Sequence, residues 1–130
     1  MARAGMDRMT GRLLTGWEHC AQSIVGVLET EIGTRTMRRL FGSALHDIQD
    51  RNPDGRTLMT GFVSIAAALR QWEPGFKLLK IIPGTFGADG VATFTLSGIF
   101  YPRGHLGDYS VAEHRDVALA NDTLRVWRVA

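Results

Sequence analysis

Two pairs of acidic residues are the first candidates for chemistry in this sequence of 130 residues. A glycoside hydrolase needs one protonated and one ionised carboxyl group, about 5 to 9.5 Å apart across the sugar. Glu29 and Glu31 are two residues apart near a predicted helix end and point in different directions, while Asp47 and Asp50 lie in a polar segment. Neither setting predicts the burial that keeps a carboxyl group protonated. We therefore expect solvated carboxylates and no catalytic residues.

Metal and cofactor sites are not indicated either. The four histidines lack the spacing of a zinc site, and the one cysteine, Cys20, lies on an apolar helical face that predicts a buried small side chain. The glycines of residues 84–90 lie between two predicted strands, whereas a phosphate loop gains its force from the helix that follows it. The expectation is no metal and no cofactor.

Charge and hydropathy limit the choice of partners. The net charge of +2 comes from the first fifteen residues, where three arginines meet one aspartate, so the remaining chain is formally neutral. A neutral body lacks the basic stripe that nucleic-acid binding requires. No apolar run approaches the roughly 18 residues of a membrane span, and the N-terminus does not resemble a secretory signal. We expect no nucleic acid, no membrane, and synthesis in the cytoplasm.

The helices that organise the chain follow from hydrophobic spacing. Residues 1–14 show no hydrophobic period, which predicts an extended arm, followed by one domain over residues 15–130. Thr15 and Glu18 have the spacing of a capping box, and an apolar stripe then runs at helical steps from Trp17 to Ile32, with Gly33 as the stop. A second helical period covers residues 56–72 and is ended by Pro74.

β-rich segments follow the second helix. The composition predicts strands over residues 76–82, 91–101, 116–120 and 123–129, with a loop at 83–90 and a two-residue hairpin turn at Asn121 and Asp122. Earlier in the chain, residues 34–41 predict a short extended segment, and Ser43 is placed to cap a brief helix to Asp50. The predicted fold class is α+β, two main N-terminal helices packed on a C-terminal antiparallel sheet.

Several segments together resemble a known family. They are the opening Gly5-Met6-Asp7-Arg8, the run from His19 to Ile24, the run from Ile32 through Arg38 and Arg39 to Ser43, the Asn52-Pro53 loop, Trp72-Glu73-Pro74, and the turn from Tyr101 to Asp108. In order and spacing the chain resembles baseplate assembly protein W of contractile-tailed phages, over nearly its whole length.

The resemblance implies a structural role in a virion. It places the chain in the baseplate wedge group, which includes the sheath-initiating baseplate component of type VI secretion and was historically called lysozyme-like. The implied subunit joins the wedge core to the first sheath ring. Its implied partners are other wedge proteins, tail hub or spike proteins and the tail sheath protein, with multiple copies around the tail axis. A muramidase-like cell-wall hydrolase, a type VI secretion component and an unrelated binding module stay open as alternatives.

One departure from the family affects the expected site. The usual Glu-Pro-Arg motif after the second helix is Glu73, Pro74 and Gly75 here, so any contact of that arginine must come from elsewhere. Only Glu73 and Pro74 are carried over as partner-binding residues.

The expected docking surface combines a sheet edge with charged residues. A strand edge exposes backbone donors and acceptors that can pair with a strand of another chain, and residues 123–129 are the candidate edge. Arg125 and Arg128 would contact the partner there, or keep the edge soluble. Arg38 and Arg39 are further candidates, since a charged surface would set register with a neighbouring wedge protein. Trp17, Phe62 and Trp72 are assigned to the core.

Overall fold

A computed structural model describes residues 3–48, 51–52, 54–86, 91–121 and 127–129. Ten elements follow one another in this part of the chain. They are β1 (Ala4–Met6), β2 (Leu13–Thr15), α1 (Trp17–Glu29), a 3₁₀ turn (Leu45–Ile48), α2 (Gly55–Trp72), β3 (Phe76–Phe86), β4 (Ala92–Phe100), a 3₁₀ turn (Gly104–Leu106), β5 (Glu113–Asn121) and β6 (Trp127–Val129). The predicted α+β class is confirmed.

The four-stranded sheet is antiparallel throughout, in the order β3-β4-β5-β6. Strand β4 alternates buried Phe94, Leu96 and Phe100 with half-buried threonines and serine, as predicted. Strand β3 runs on to Phe86, past the predicted end at Ile82, with register shifts after Leu78 and Pro83. Residues 87–90 of the predicted loop lie outside the described residues.

The predicted two-residue turn at Asn121 and Asp122 is wrong. Asn121 belongs to β5 and pairs with Trp127, so the connection between β5 and β6 is longer than that turn. The predicted strand over 123–129 is described only at Trp127–Val129.

The core lies between the two helices and the sheet. Helix α1 contributes Cys20, Ile24 and Leu28, and helix α2 contributes Ile65 and Leu69, all almost completely buried against β4 and β5. Trp17 and Phe62 pack against this cluster, as predicted, and the Trp17 ring lies 5.4 Å from that of Phe100. Burying such side chains contributes about 1.5 to 3 kcal/mol each, so this core holds the helices on the sheet.

Helix α1 begins and ends differently from the prediction. Thr15 pairs with Ala4 in the β1–β2 hairpin, so the capping box with Glu18 does not form, and Gly16 takes the cap position with φ +57° and no side-chain hydrogen bond. The helix ends at Glu29, before Ile32, which is 48% exposed. Gly33 has φ +93° in the turn that follows, past the helix end.

The segment 34–41 consists of turns and contains no strand, so that prediction is wrong. Ser43 precedes a short helical turn, as predicted: its hydroxyl accepts from the Leu45 amide at 3.5 Å and donates to the Leu28 carbonyl at 3.0 Å. The predicted end at Asp50 lies outside the described residues. Helix α2 agrees better with the sequence: Asp54 caps it by accepting from the Thr57 amide at 2.7 Å, and it ends at Trp72 before Pro74. No helix within the described residues is both long and apolar enough to cross a bilayer.

Candidate partner-binding surfaces

Glu73 lies at the C-terminal end of α2, and its carboxylate is held inside the molecule. It is 1% exposed, and its two oxygens accept hydrogen bonds from the Arg3 guanidinium and the Ser23 hydroxyl. A buried carboxylate needs such partners because desolvation of an unpaired charge is costly. In the free chain Glu73 therefore contacts the N-terminal segment, and its predicted contact with a partner protein stays a prediction.

Arg3 brings a guanidinium to the position where the family motif carries arginine. A Cβ atom built on Gly75 would lie 3.8 Å from Nη1 of Arg3 and 3.4 Å from Oε1 of Glu73. Sequence reasoning missed Arg3 and Ser23, because Arg3 and Glu73 are 70 positions apart and no local period links them. The missing arginine after Pro74 was the one available signal that another cation was needed.

The β1–β2 hairpin that carries Arg3 is ordered against α1. Gln22 bonds it twice, accepting from the Arg8 amide and donating to the Met6 carbonyl, both at 2.9 Å. Arg8 also pairs with Glu29 at 2.6 Å. The segment predicted as an arm is thus bound to the body of its own chain, while the division into an arm of 1–14 and a domain of 15–130 stays a prediction.

Two titratable groups, Cys20 and His19, lie close to the Arg3–Glu73 ion pair. Burial, with Glu73 nearby, raises the pKa of the Cys20 thiol to about 12, which disfavours a reactive thiolate. The pKa of His19 is lowered by burial and by the Arg3 charge, against an opposing effect of Glu73. The His19 ring lies where a side chain on Gly5 would be, and no described residue forms a hydrogen bond with its buried Nδ1. Both groups are consistent with packing between the hairpin and α1.

The loop 31–40 has the opposite character, because every one of its residues is exposed. The guanidinium of Arg35 lies 4.3 Å from the centre of the Phe41 ring, and that of Arg38 lies 4.9 Å from Phe41 and 5.5 Å from Trp72. The two rings are themselves 5.1 Å apart. We call this group, with Arg39, the arginine surface: Arg35, Arg38, Arg39, Phe41 and Trp72.

The structure corrects one assignment in this region and supports another. Trp72 is half-buried beneath Arg38, so it is part of the arginine surface, whereas the sequence had assigned it to the core. Arg38 and Arg39 are exposed, as a partner contact requires. Arg35 and Phe41 were missed, although the regular spacing of Arg35, Arg38 and Phe41 was visible in the sequence.

The sheet presents two edges, one on β3 and one on β6. Strand β6, the predicted docking edge, pairs with β5 on one side only in the described sheet, and Arg128 lies opposite Ala120. Arg125 lies outside the described residues. Strand β3 exposes Lys77 and Lys80, and charged residues of this kind protect an edge from unwanted pairing.

An open groove of about 650 Å³ lies between the end of α2 and the start of β3. The described residues that line it include Pro74 and the polar side chains of Arg70, Glu73, Lys77, Tyr101 and Tyr109. Glu73 is the one carboxylate among them. A glycosidase site needs two carboxyl groups, so this groove lacks half of that arrangement. The described residues also contain no cluster of three or more side chains able to hold a metal ion.

Solved structures define the class of this fold. The chain is similar to a component of the postcontracted pyocin R2 baseplate, with a TM-score of 0.64 and 33% identity over 75% of this chain and 98% of that one. It is similar to a putative tail lysozyme of Geobacter sulfurreducens, with a TM-score of 0.60 and 25% identity over 78% and 86%. A component of the anti-feeding prophage baseplate shares the fold alone, with a TM-score of 0.56 and 21% identity over 88% and 78%.

A curated relative places the chain within this class. Baseplate protein W of Escherichia phage P2 is 35% identical over 94 residues, which are 72% of this chain and 81% of the relative. No known family model matches the chain. The chain therefore belongs to the baseplate protein W family, and the resemblance noted in the sequence is confirmed.

Proposed function

We propose that this chain is a structural protein of the baseplate of a contractile phage tail, where it binds other proteins and catalyses no reaction. The observation that carries the proposal is its 35% identity to the phage P2 baseplate protein, supported by the likeness to the pyocin R2 baseplate. In this proposal the protein is made in the bacterial cytoplasm and ends in the virion, in several copies around the tail axis.

In this proposal the subunit joins the wedge core to the first sheath ring and initiates sheath assembly. Tail hub or spike proteins are further proposed partners. The position of β6 at the end of the described sheet supports the role in sheath assembly, because a strand edge offers backbone donors and acceptors to a strand of a sheath subunit. Arg125 and Arg128 would set the register of that added strand through charge contacts.

Tails assembled from the complete gene cluster, with and without this gene, test the role. Negative-stain images of the deletion should show tails without an attached sheath, and a plasmid copy of the gene should restore it. Normal sheath on baseplates that lack the protein would contradict the proposal.

Charge reversal tests the proposed edge. The Arg125→Glu/Arg128→Glu variant should enter the baseplate and fail to start a sheath, whereas Lys77→Glu/Lys80→Glu, its match on the opposite edge, should form sheath normally. The reverse pattern would assign the sheath contact to β3.

A muramidase activity is the second candidate, because a similar structure is called a putative tail lysozyme. The groove beside α2 has one carboxylate among its described lining residues, and both oxygens of that Glu73 side chain already accept hydrogen bonds. A turbidity assay on purified cell walls should therefore show no clearing above that of a Glu73→Gln variant. Clearing that depends on Glu73 would replace the structural proposal with an enzymatic one.

A further inference from the structure

We propose that the arginine surface binds an acidic segment of another baseplate protein, one that carries at least two carboxylates beside an apolar side chain. This inference rests on the proposed baseplate role and adds to it the place and chemistry of one contact. It is carried by the charge, geometry and exposure of the loop 31–40.

The positive charges of this loop are not neutralised within the described chain. The ion pairs among the described residues use Arg3, Arg8, Arg103 and Arg115, and none uses Arg35, Arg38 or Arg39. The loop holds three arginines and one carboxylate, Glu31, which forms no ion pair among the described residues. The loop thus keeps a net positive charge, and an acidic partner would relieve the repulsion among its arginines. The surface is therefore complementary to a segment with several negative charges.

The aromatic rings hold two of these cations in place. The Arg35 guanidinium lies over the Phe41 ring, and that of Arg38 lies within cation–π distance of both Phe41 and Trp72. A ring accepts no proton from a carboxylate-binding N–H pair, so these guanidinium groups can still donate two parallel hydrogen bonds to one carboxylate. Since the side chains are already ordered, binding loses less conformational entropy.

The base of the loop is fixed to helix α1. The Ser43 amide donates to the Thr30 carbonyl at 2.9 Å, and the His46 ring lies 2.6 Å from the Glu29 carbonyl. Gly42 has φ +127°, and a Cβ atom there would lie 2.3 Å from the Thr30 carbonyl oxygen, so only glycine allows this approach. The arginine surface therefore has a defined position on the body.

Two exposed apolar side chains lie beside the charges. Met37 is 96% exposed, with φ +64°, and Leu40 is 73% exposed. A non-glycine residue in the left-handed region costs free energy, and such conformations concentrate at functional sites. Methionine and arginine are both enriched in protein interfaces. The apolar pair favours a protein segment over nucleic acid, whose backbone offers charge without an apolar partner.

A photocross-linker at position 37 identifies the partner segment in assembled tails. The Met37→benzoylphenylalanine variant, expressed with the complete gene cluster, is irradiated in purified tails and the linked peptides are sequenced by mass spectrometry. The expected peptide comes from another baseplate protein and has at least two acidic residues next to the linked position. A link to nucleic acid, to a segment without acidic residues, or to nothing would overturn the inference.

Charge reversal then tests the contact from both sides. Arg35→Glu/Arg38→Glu should lower the incorporation of the protein into tails at least about tenfold, and reversal of the linked acidic residues to lysine should restore it. Arg56→Glu is the matched control, since Arg56 is exposed at the other end of α2, about 24 Å along the helix from Trp72.

The outcomes separate the two proposals. If the unaltered protein is missing from purified tails, the proposed function fails. If it is present and Arg35→Glu/Arg38→Glu is incorporated as well as Arg56→Glu, the inference alone fails. A variant that does not fold is recognised by its circular dichroism, and the lysine reversal made alone in the partner segment then decides, because it should lower incorporation of the unaltered protein.

Discussion

The β1–β2 hairpin and the loop 31–40 both carry arginines near the surface, and they use them in opposite ways. On the hairpin, Arg3 pairs with buried Glu73 and Arg8 pairs with Glu29, so two of its three arginines meet a carboxylate of their own chain. In the loop, Arg35 and Arg38 meet aromatic rings instead. An arginine whose counter-charge lies on its own chain therefore stabilises the fold, whereas an arginine without one is available to a partner.

Removal of Arg3 should have the largest effect on stability. In Arg3→Met the carboxylate of Glu73, which is 1% exposed, keeps only the Ser23 hydroxyl, and breaking a buried pair from one side costs about 3 kcal/mol of unfolding free energy. Urea denaturation followed by circular dichroism measures it. Arg3→Met/Glu73→Gln should recover more than half of the loss, because no buried charge is then left.

Arg8→Met is the matched control on the same hairpin. Its pair with Glu29 lies at the surface, where Arg8 is exposed and Glu29 is half-buried, so the change should cost only about 0.5 kcal/mol. Equal losses of unfolding free energy in Arg3→Met and Arg8→Met would show that the Arg3–Glu73 contact is as weak as an ordinary surface pair. The arginines of the hairpin would then not stabilise the fold more than those of the loop.

Gly42→Ala should have the second largest effect. The new Cβ atom would clash with the Thr30 carbonyl oxygen, and alanine at φ +127° is strained, so we expect a loss of about 2 kcal/mol. Thermal unfolding measures the loss, and Gly33→Ala is the control, because Gly33 also has a positive φ but open space around its Cα. A larger loss of stability in Gly33→Ala than in Gly42→Ala would indicate that backbone strain, and not the close contact with the Thr30 carbonyl, is the main cost of a substitution in this loop.

Changes on the arginine surface should barely alter stability. Arg38→Gln removes two exposed contacts with aromatic rings and should cost no more than about 1 kcal/mol in the urea experiment. A loss as large as that of Arg3→Met would mean that Arg38 holds the fold together, and the arginine surface would then be structural.

The pH dependence of stability should be the smallest of these effects. It should come from His19, which packs against Gly5 of the β1–β2 hairpin. The pKa of His19 is lowered in the folded chain, so the folded state binds fewer protons there than the unfolded state. Its contribution to stability is complete above the unfolded pKa of about 6.5 and is lost as pH falls towards the folded value. The slope of urea midpoint against pH over this window should shrink in His19→Gln and persist in His105→Gln, which changes an exposed turn. An unchanged slope in His19→Gln would contradict this.

The sequence predicted what depends on local periods. Helix α2 and the alternation in β4 were found because hydrophobic spacing reports which face is buried. The Thr15 cap failed because pairing with distant Ala4 took that residue into a strand. The segment 34–41 has strand-like composition, but its backbone turns and brings the Arg35 and Arg38 guanidinium groups to the Phe41 ring.

The candidate site likewise contains residues that local sequence could predict and residues that only the tertiary fold reveals. Arg38 and Arg39 could be proposed from composition, since exposed charge is a local property. The Arg3–Glu73 pair could not, because it joins residues 70 positions apart and requires the tertiary fold. Glu73 was selected through the family motif, and only the fold reveals that its carboxylate is bound by its own chain.

Hydrogen–deuterium exchange on the free protein and on purified tails tests the central claim most directly. We expect amides of residues 34–40 to exchange more slowly in tails than in the free protein, while those of residues 4–6 and 13–15 exchange at the same rate in both. Unchanged exchange at 34–40, with new protection of the hairpin, would mean that the partner binds the hairpin and not the arginine surface.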